Sequence, residues 1–164
     1  MITAIISKTY NKLVDLCAVV VGLMIILAVI FVVIDVAGRH FFSSPIGWVL
    51  EATEYILLCI PFLAMAWLVR SAEGHVRIEL LVQALPQAWQ NRLNIFSSLL
   101  ASSACGLATY YAVETTIDHF LRNIVTPGIY PIPKFTIIAI VSLGLGLTTI
   151  EFLRKAILIL GEKN

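Results

Sequence analysis

The chain has 164 residues, of which 60% are hydrophobic and only 13% charged, with a formal net charge of +1. A soluble domain carries about a quarter of its residues as charges, so a core of this size cannot hide the excess apolar surface, and that excess must face lipid. The small net charge and the scattered Lys and Arg residues exclude the basic field that a nucleic-acid footprint requires.

Four uncharged runs follow one another along the chain: Leu16–Ile34, Tyr55–Val69, Ile95–Val113 and Phe135–Ile150. About 20 apolar residues rising 1.5 Å each cross a hydrocarbon core roughly 30 Å thick. The first and third runs approach that length unaided. The second is extended backwards through Pro45 to Leu50, and the fourth continues past Glu151 into Phe152 and Leu153. The expectation is an all-α membrane protein, one domain over 1–164, with spans near 13–35, 46–70, 93–113 and 134–153. Trp48 and Trp67 stand 19 residues apart, about 28 Å along a helix axis, which sets one indole at each interface of the second span.

Lys and Arg assign the orientation, because cytoplasmic segments retain the positive excess. The N-terminal tail (Lys8, Lys12), the second loop (Arg70, Arg77, Arg92) and the C-terminal tail (Arg154, Lys155, Lys163) hold eight, whereas Arg39, Arg122 and Lys134 are the three on the other side. Both termini are therefore expected in the cytoplasm. A cleavable signal is not expected, since the first apolar run is too long and no small-x-small site closes it.

Between the second and third spans, Ile78, Leu81, Val82, Leu85, Trp89 and Leu93 recur at helical spacing among Arg77, Glu79, Gln83, Gln87 and Gln90. This predicts an amphipathic arm helix near 76–92, broken or bent at Pro86, with its apolar stripe in lipid or on another subunit. Such a helix either covers the cytoplasmic end of the bundle or grips a partner. In the outer loop, Pro127, Pro131 and Pro133 preclude a helix and predict a stiff, extended connector or a docking surface.

The residues that a four-helix redox or transport unit needs are missing. Cys17, Cys59 and Cys105 form no C-x-x-C pair, so a disulfide relay lacks reactants. His40, His75 and His119 sit in or near loops, away from the depth at which paired histidines hold haem. No span carries an ionisable group at its centre, which argues against a pump or pore made by this chain alone. Ser98, Ser102 and Gly106 recur every four residues, as do Ala18 with Gly22 and Gly144 with Thr148. That spacing reads as small-residue faces that let helices approach closely in lipid.

Charge collects instead at the rims. Arg39 and His40 end the first span while Glu51 and Glu54, three apart and so on one helix face, begin the second. The expectation is a structural ion pair with Arg39 or with a partner subunit, in preference to a metal or sodium site. Arg70, Glu73, His75 and Arg77 cluster at the inner end, where the ordinary role is headgroup contact.

The order Arg39-His40-Phe41-Phe42, Pro45, Trp48, Glu51, Glu54, then Arg70, Gly74-His75-Val76 and Leu85-Pro86 resembles the small membrane subunit, of DctQ or SiaQ type, of tripartite ATP-independent periplasmic (TRAP) transporters. Pro61 departs from the family pattern and is expected to kink the second span. The resemblance implies a bacterial inner-membrane protein that is not an enzyme and binds no cofactor. Its implied partners are a large membrane subunit that carries sodium and solute sites, a periplasmic solute-binding protein and membrane lipids. The small subunit is then a scaffold for uptake of an organic acid of the sialic acid or dicarboxylate type. A self-sufficient small oligomeric transporter or channel is the alternative, with a membrane anchor for a redox complex as a third reading.

Overall fold

In the computed structural model the described residues are 2–42, 46–71, 86–128 and 131–161. They form four helices: α1 (Ile2–Phe42), α2 (Gly47–Ser71), α3 (Gln87–Leu121) and α4 (Lys134–Gly161). Each runs past the predicted span at one or both ends, because helix continues beyond the apolar run into the charged rims. The predicted arm near 76–92 falls largely on 72–85, outside the described residues. Trp89 and Leu93, assigned to its apolar stripe, lie in α3, which starts directly after Pro86. Pro86 has no N–H to donate, which costs nothing just ahead of a first turn, and its carbonyl accepts the Trp89 and Gln90 amides at 2.8 and 3.2 Å.

The substantial interfaces are α1 on α2, α2 on α4 and α4 on α3, the last being the most extensive. The spatial order is thus α1–α2–α4–α3, with α2 and α4 inside and α1 and α3 at the ends. On α1 the covered positions are Val14, Cys17, Val21, Met24, Ala28, Phe31, Asp35 and Gly38, spaced alternately three and four. This is a heptad seam, which keeps one narrow stripe of α1 against the rest of the bundle. Most residues between them, such as Leu16, Val19, Leu23, Ile26, Val29 and Val33, are exposed aliphatics. Val14, Cys17 and Val21 meet Leu63 and Ala66 of α2 and Leu147 of α4 in the main buried cluster.

The α3–α4 contact is more polar. Ser98, Ser102, Cys105, Thr109, Ala112 and Thr116 form the covered stripe of α3. Across it, the Ser102 hydroxyl donates to the Thr149 carbonyl at 3.2 Å and the Thr116 and Ser142 hydroxyls lie 3.2 Å apart. A Cβ on Gly106 would touch Thr149, and one on Gly146 would touch Thr109, both at 3.6 Å. These are ordinary contacts, so a methyl group would fit at either glycine and the approach of the two helices does not require hydrogen there.

Tightest of all is α2 on α4. A Cβ on Gly144 would fall 2.3 Å from the Phe62 carbonyl oxygen, so only hydrogen fits there. Pro61 lies inside α2, which remains helical on both sides of it. By length and apolar composition α1, α2 and α4 qualify as membrane spans. The sequence reading treats α3 as a fourth, but its serines, threonines and paired tyrosines hold it below that standard.

The α3–α4 connector departs from the extended path expected of it. At the end of α3, Asn123 takes a left-handed φ of 50°, and its amide and that of Ile124 return to Phe120 and His119 carbonyls at 3.3 and 3.1 Å. This is a Schellman-type stop, with Asn tolerating the left-handed turn. The chain then doubles back: Val125 and Pro133 form an antiparallel bridge. Thr126 donates its amide to Ile132 at 2.9 Å and accepts the Ile132 amide on its hydroxyl at 3.0 Å. Pro133 is tolerated because the flanking amides, Thr126 and Lys134, make the bonds.

Candidate functional site

Ionisable residues stand in two layers, and the distance between them matches a bilayer. On α1, Asp15 and Asp35 are 20 residues apart, about 30 Å along the axis. No Asp, Glu, Lys, Arg or His occurs between Asp15 and Asp35 on α1, Glu54 and Arg70 on α2, Arg92 and Glu114 on α3, or Lys134 and Glu151 on α4.

The layer of Asp15, Arg70 and Glu151, the inner one in the expected orientation, joins the ends of α1, α2 and α4. Arg70 donates to the Asn11 carbonyl at 3.2 Å and pairs with Asp15. Arg154 reaches across to the Asn11 side-chain oxygen at 2.6 Å and the Ser7 hydroxyl at 3.1 Å. The Tyr10 hydroxyl donates to the Leu147 carbonyl at 2.9 Å. Glu151 is 5% exposed, and its Oε2 finds no hydrogen-bond partner within the described residues. Arg70 was expected here from sequence, in a headgroup role. Its observed partners on α1, and the whole Arg154–Asn11–Ser7 connection, were missed, because residues up to 147 positions apart carry no local signal.

At the outer layer the expected pairing of Arg39 with Glu51 or Glu54 is not the one observed. Arg39 pairs with Asp35 of its own helix at 2.6 Å. The i,i+4 spacing places the two groups together with no loop to close, so the local partner wins. That spacing was legible in the sequence. Asp35, 8% exposed, also faces the Ile46 amide at 3.4 Å, linking the end of α1 to the start of α2.

Trp48 stands edge-on to Phe31, with ring centroids 5.7 Å apart. Glu51 turns toward the connector, where its carboxylate lies against Gly128, and Glu54 is exposed. On the inner side, Trp89 is exposed with the Arg92 guanidinium 5.7 Å from its ring centre. Ser98, Ser102 and Gly106 all lie in the α3–α4 seam, Ser98 and Ser102 buried. His75 and Arg77 are outside the described residues. Gly22 differs from the other small residues of these pairs: a Cβ there would meet nothing within 4 Å, so no described helix fills that step.

The arrangement therefore supplies apolar outer faces, polar and small-residue seams, and charges confined to two rims. Cys17 and Cys59 are buried free thiols and Cys105 is partly covered.

Residues 28–161 match the family described as tripartite ATP-independent periplasmic transporters, DctQ component. The chain belongs to this family. The match takes in both outer-rim helix ends, the polar α3–α4 seam and the whole of α4. The chain is also similar to the ectoine TRAP transporter small permease protein TeaB of Halomonas elongata. The two are 26% identical over 140 residues, covering 85% of this chain and 72% of the relative. It is thus a small permease component of a TRAP transporter, a membrane protein built of apolar helices.

Proposed function

We propose that this chain is the non-catalytic scaffold of its transporter, holding the large membrane subunit in the bilayer while that subunit moves solute. The observation that carries the reading is the distribution of charge. Every described helix is free of Asp, Glu, Lys, Arg and His through its central part, so the described helices offer no charged side chain at mid-membrane for a coupling ion or an anionic solute. Long aliphatic faces on α1 suit lipid or another membrane helix equally well.

In this reading α3 also crosses the bilayer, sheltered by α4 along its polar stripe. Both termini lie in the cytoplasm, the Trp48 end faces the periplasm, and the membrane is the bacterial inner membrane. Sodium and solute sites belong to the large subunit, and a periplasmic protein delivers the cargo. That cargo is an organic acid of the sialic acid or dicarboxylate type, or a solute such as the ectoine for which the Halomonas relative is named. The predicted arm ahead of Pro86 adds a contact along the inner surface.

Reconstitution tests this directly. The purified chain alone in liposomes should give no solute flux under a sodium gradient, and flux should appear only when the large subunit and the solute-binding protein are both added. Flux from the chain alone would overturn the scaffold reading in favour of a self-sufficient oligomeric transporter.

A further inference from the structure

Along one side, α1 and α2 do not close on each other. Ala18, Gly22 and Ile25 of α1 and Ile60, Ala64 and Leu68 of α2 line an open apolar groove of about 620 Å³ between them. A Cβ on Gly22 would meet nothing within 4 Å, so the α1 backbone itself is open to the groove and no described helix lies in it. Asp15 and Trp67 stand at one end, in the layer of charges where Arg70 pairs with Asp15.

The length of the groove matches one leaflet. From Asp15 to Ile25 it follows ten residues of α1, about 15 Å, which is half of a hydrocarbon core roughly 30 Å thick. Past Ile25 and Ile60 the space continues but falls to about 280 Å³, between bulkier residues such as Val29, Val33 and Leu57. A helix that crosses the bilayer needs room through both halves, whereas an acyl chain needs only one.

The charges at the open end have a definite sign. Lys8, Lys12, Asp15, Val19 and Gly22 alternate at four and three residues, so the two lysines continue the face of α1 that lines the groove. They stand about 10 and 5 Å beyond Asp15 along the axis, on the headgroup side, and both are exposed. Arg70 offsets the charge of Asp15, which leaves the mouth of the groove positive. An anionic headgroup is drawn to such a mouth, and the Trp67 indole suits the same interfacial depth. The chain beneath gains dispersion contact from two walls, where a lipid on a convex face touches one.

We infer that this groove holds one anionic phospholipid, with an acyl chain lying along Gly22 and the phosphate beside Lys8 and Lys12. In the orientation proposed above it belongs to the inner leaflet. The site goes beyond the scaffold role and does not depend on it.

Native mass spectrometry of the purified chain in detergent tests this, with phosphatidylglycerol and phosphatidylcholine added in turn. One phosphatidylglycerol should stay bound under activation that strips other lipids, at a half-saturating concentration about tenfold below that of phosphatidylcholine. The preference should shrink as salt is raised. Joint replacement of Lys8→Gln and Lys12→Gln should bring the two lipids level. Gly22→Leu puts a side chain into the groove and should remove tight binding of both, whereas Val20→Leu, at an exposed position outside the groove, should leave it intact. Equal affinity of the wild type for the two lipids would overturn the site, as would a preference undiminished in the lysine double variant or phosphatidylglycerol binding undiminished in Gly22→Leu. If Gly22→Leu detaches the large subunit on co-purification while the lysine double variant does not, the occupant is a helix of that partner and the lipid site is overturned.

Discussion

Replacing Gly144 by Ala puts the α2–α4 interface to the test. The added methyl would sit 2.3 Å from the Phe62 carbonyl oxygen, 2.5 Å from its carbon and 3.1 Å from the Phe62 Cβ, whereas real Cβ contacts stay beyond about 3.0 Å. Two of these atoms are backbone, so no rotamer change relieves the overlap. The helices must part by about 0.7–1.1 Å at this point, loosening neighbours such as Leu63 and Leu147 in the buried cluster. Overpacking of this kind costs about 1–3 kcal/mol, against which a helix gains at most about 1 kcal/mol from Gly to Ala. With the full helical gain the net loss is up to about 2 kcal/mol, which for a chain of this size lowers the melting temperature by as much as roughly 8 °C. The assay is thermal unfolding of the purified chain in detergent, with Gly22→Ala run in parallel. Gly22 has nothing within 4 Å of a Cβ, so that variant should melt at or slightly above the wild type. If Gly144→Ala melts as high as Gly22→Ala, the close approach of α2 and α4 does not exist in the folded protein and the order of helices must be redrawn.

Arg154→Met keeps the bulk of the side chain but removes its bonds to Asn11 and Ser7. It should cost about 2 kcal/mol and speed amide hydrogen exchange selectively over 7–12, while exchange in the α3–α4 pair stays unchanged. Ser102→Ala removes a hydrogen bond between helices and, by the scale of such bonds in membranes, should cost only about 0.6 kcal/mol in the same melting assay. Asp35→Asn breaks the pair with Arg39, whose side chain is 53% exposed, yet retains an acceptor for the Ile46 amide. Its stability loss should therefore stay below about 1 kcal/mol, with Asp35→Ala, which loses both, clearly less stable.

Sequence alone determined the features that depend on solvent. A bilayer rejects charge, so the uncharged runs located the helices, and the surviving charges marked the rims at Asp15, Asp35, Glu51, Arg70 and Glu151. Family membership was also legible: the order of rim anchors between Arg39 and Pro86 carries the resemblance, and the family match extends over residues 28–161. The small-residue seams were legible as well, since small residues every fourth position are visible without coordinates, as at Gly106 and Gly144, though only Gly144 proves tight. The expected ion pair of Glu51 or Glu54 with Arg39, or with a partner subunit, met a local competitor for Arg39. Both groups were placed at the right depth, but depth does not choose a partner, and Asp35 one turn away was nearer than anything across a loop.

Tertiary structure alone decided which helix meets which, and which small-residue step stays open. In water a buried face announces itself by being apolar, but in lipid the outward face is just as apolar. Leu23 and Ile26 point away from the chain with the same chemistry as Val21 and Met24, which point in. The heptad seam of α1 is therefore nearly silent as a polarity pattern. Gly22 likewise looks the same in sequence as Gly144, yet Gly144 is packed to its limit and Gly22 faces empty space. The connector's return onto Glu51 and the reach of Arg154 to Ser7 are contacts between segments far apart in the chain. Their geometry comes from how the helices stack, because in a solvent that no longer distinguishes one apolar face from another only shape and hydrogen bonding select the partner.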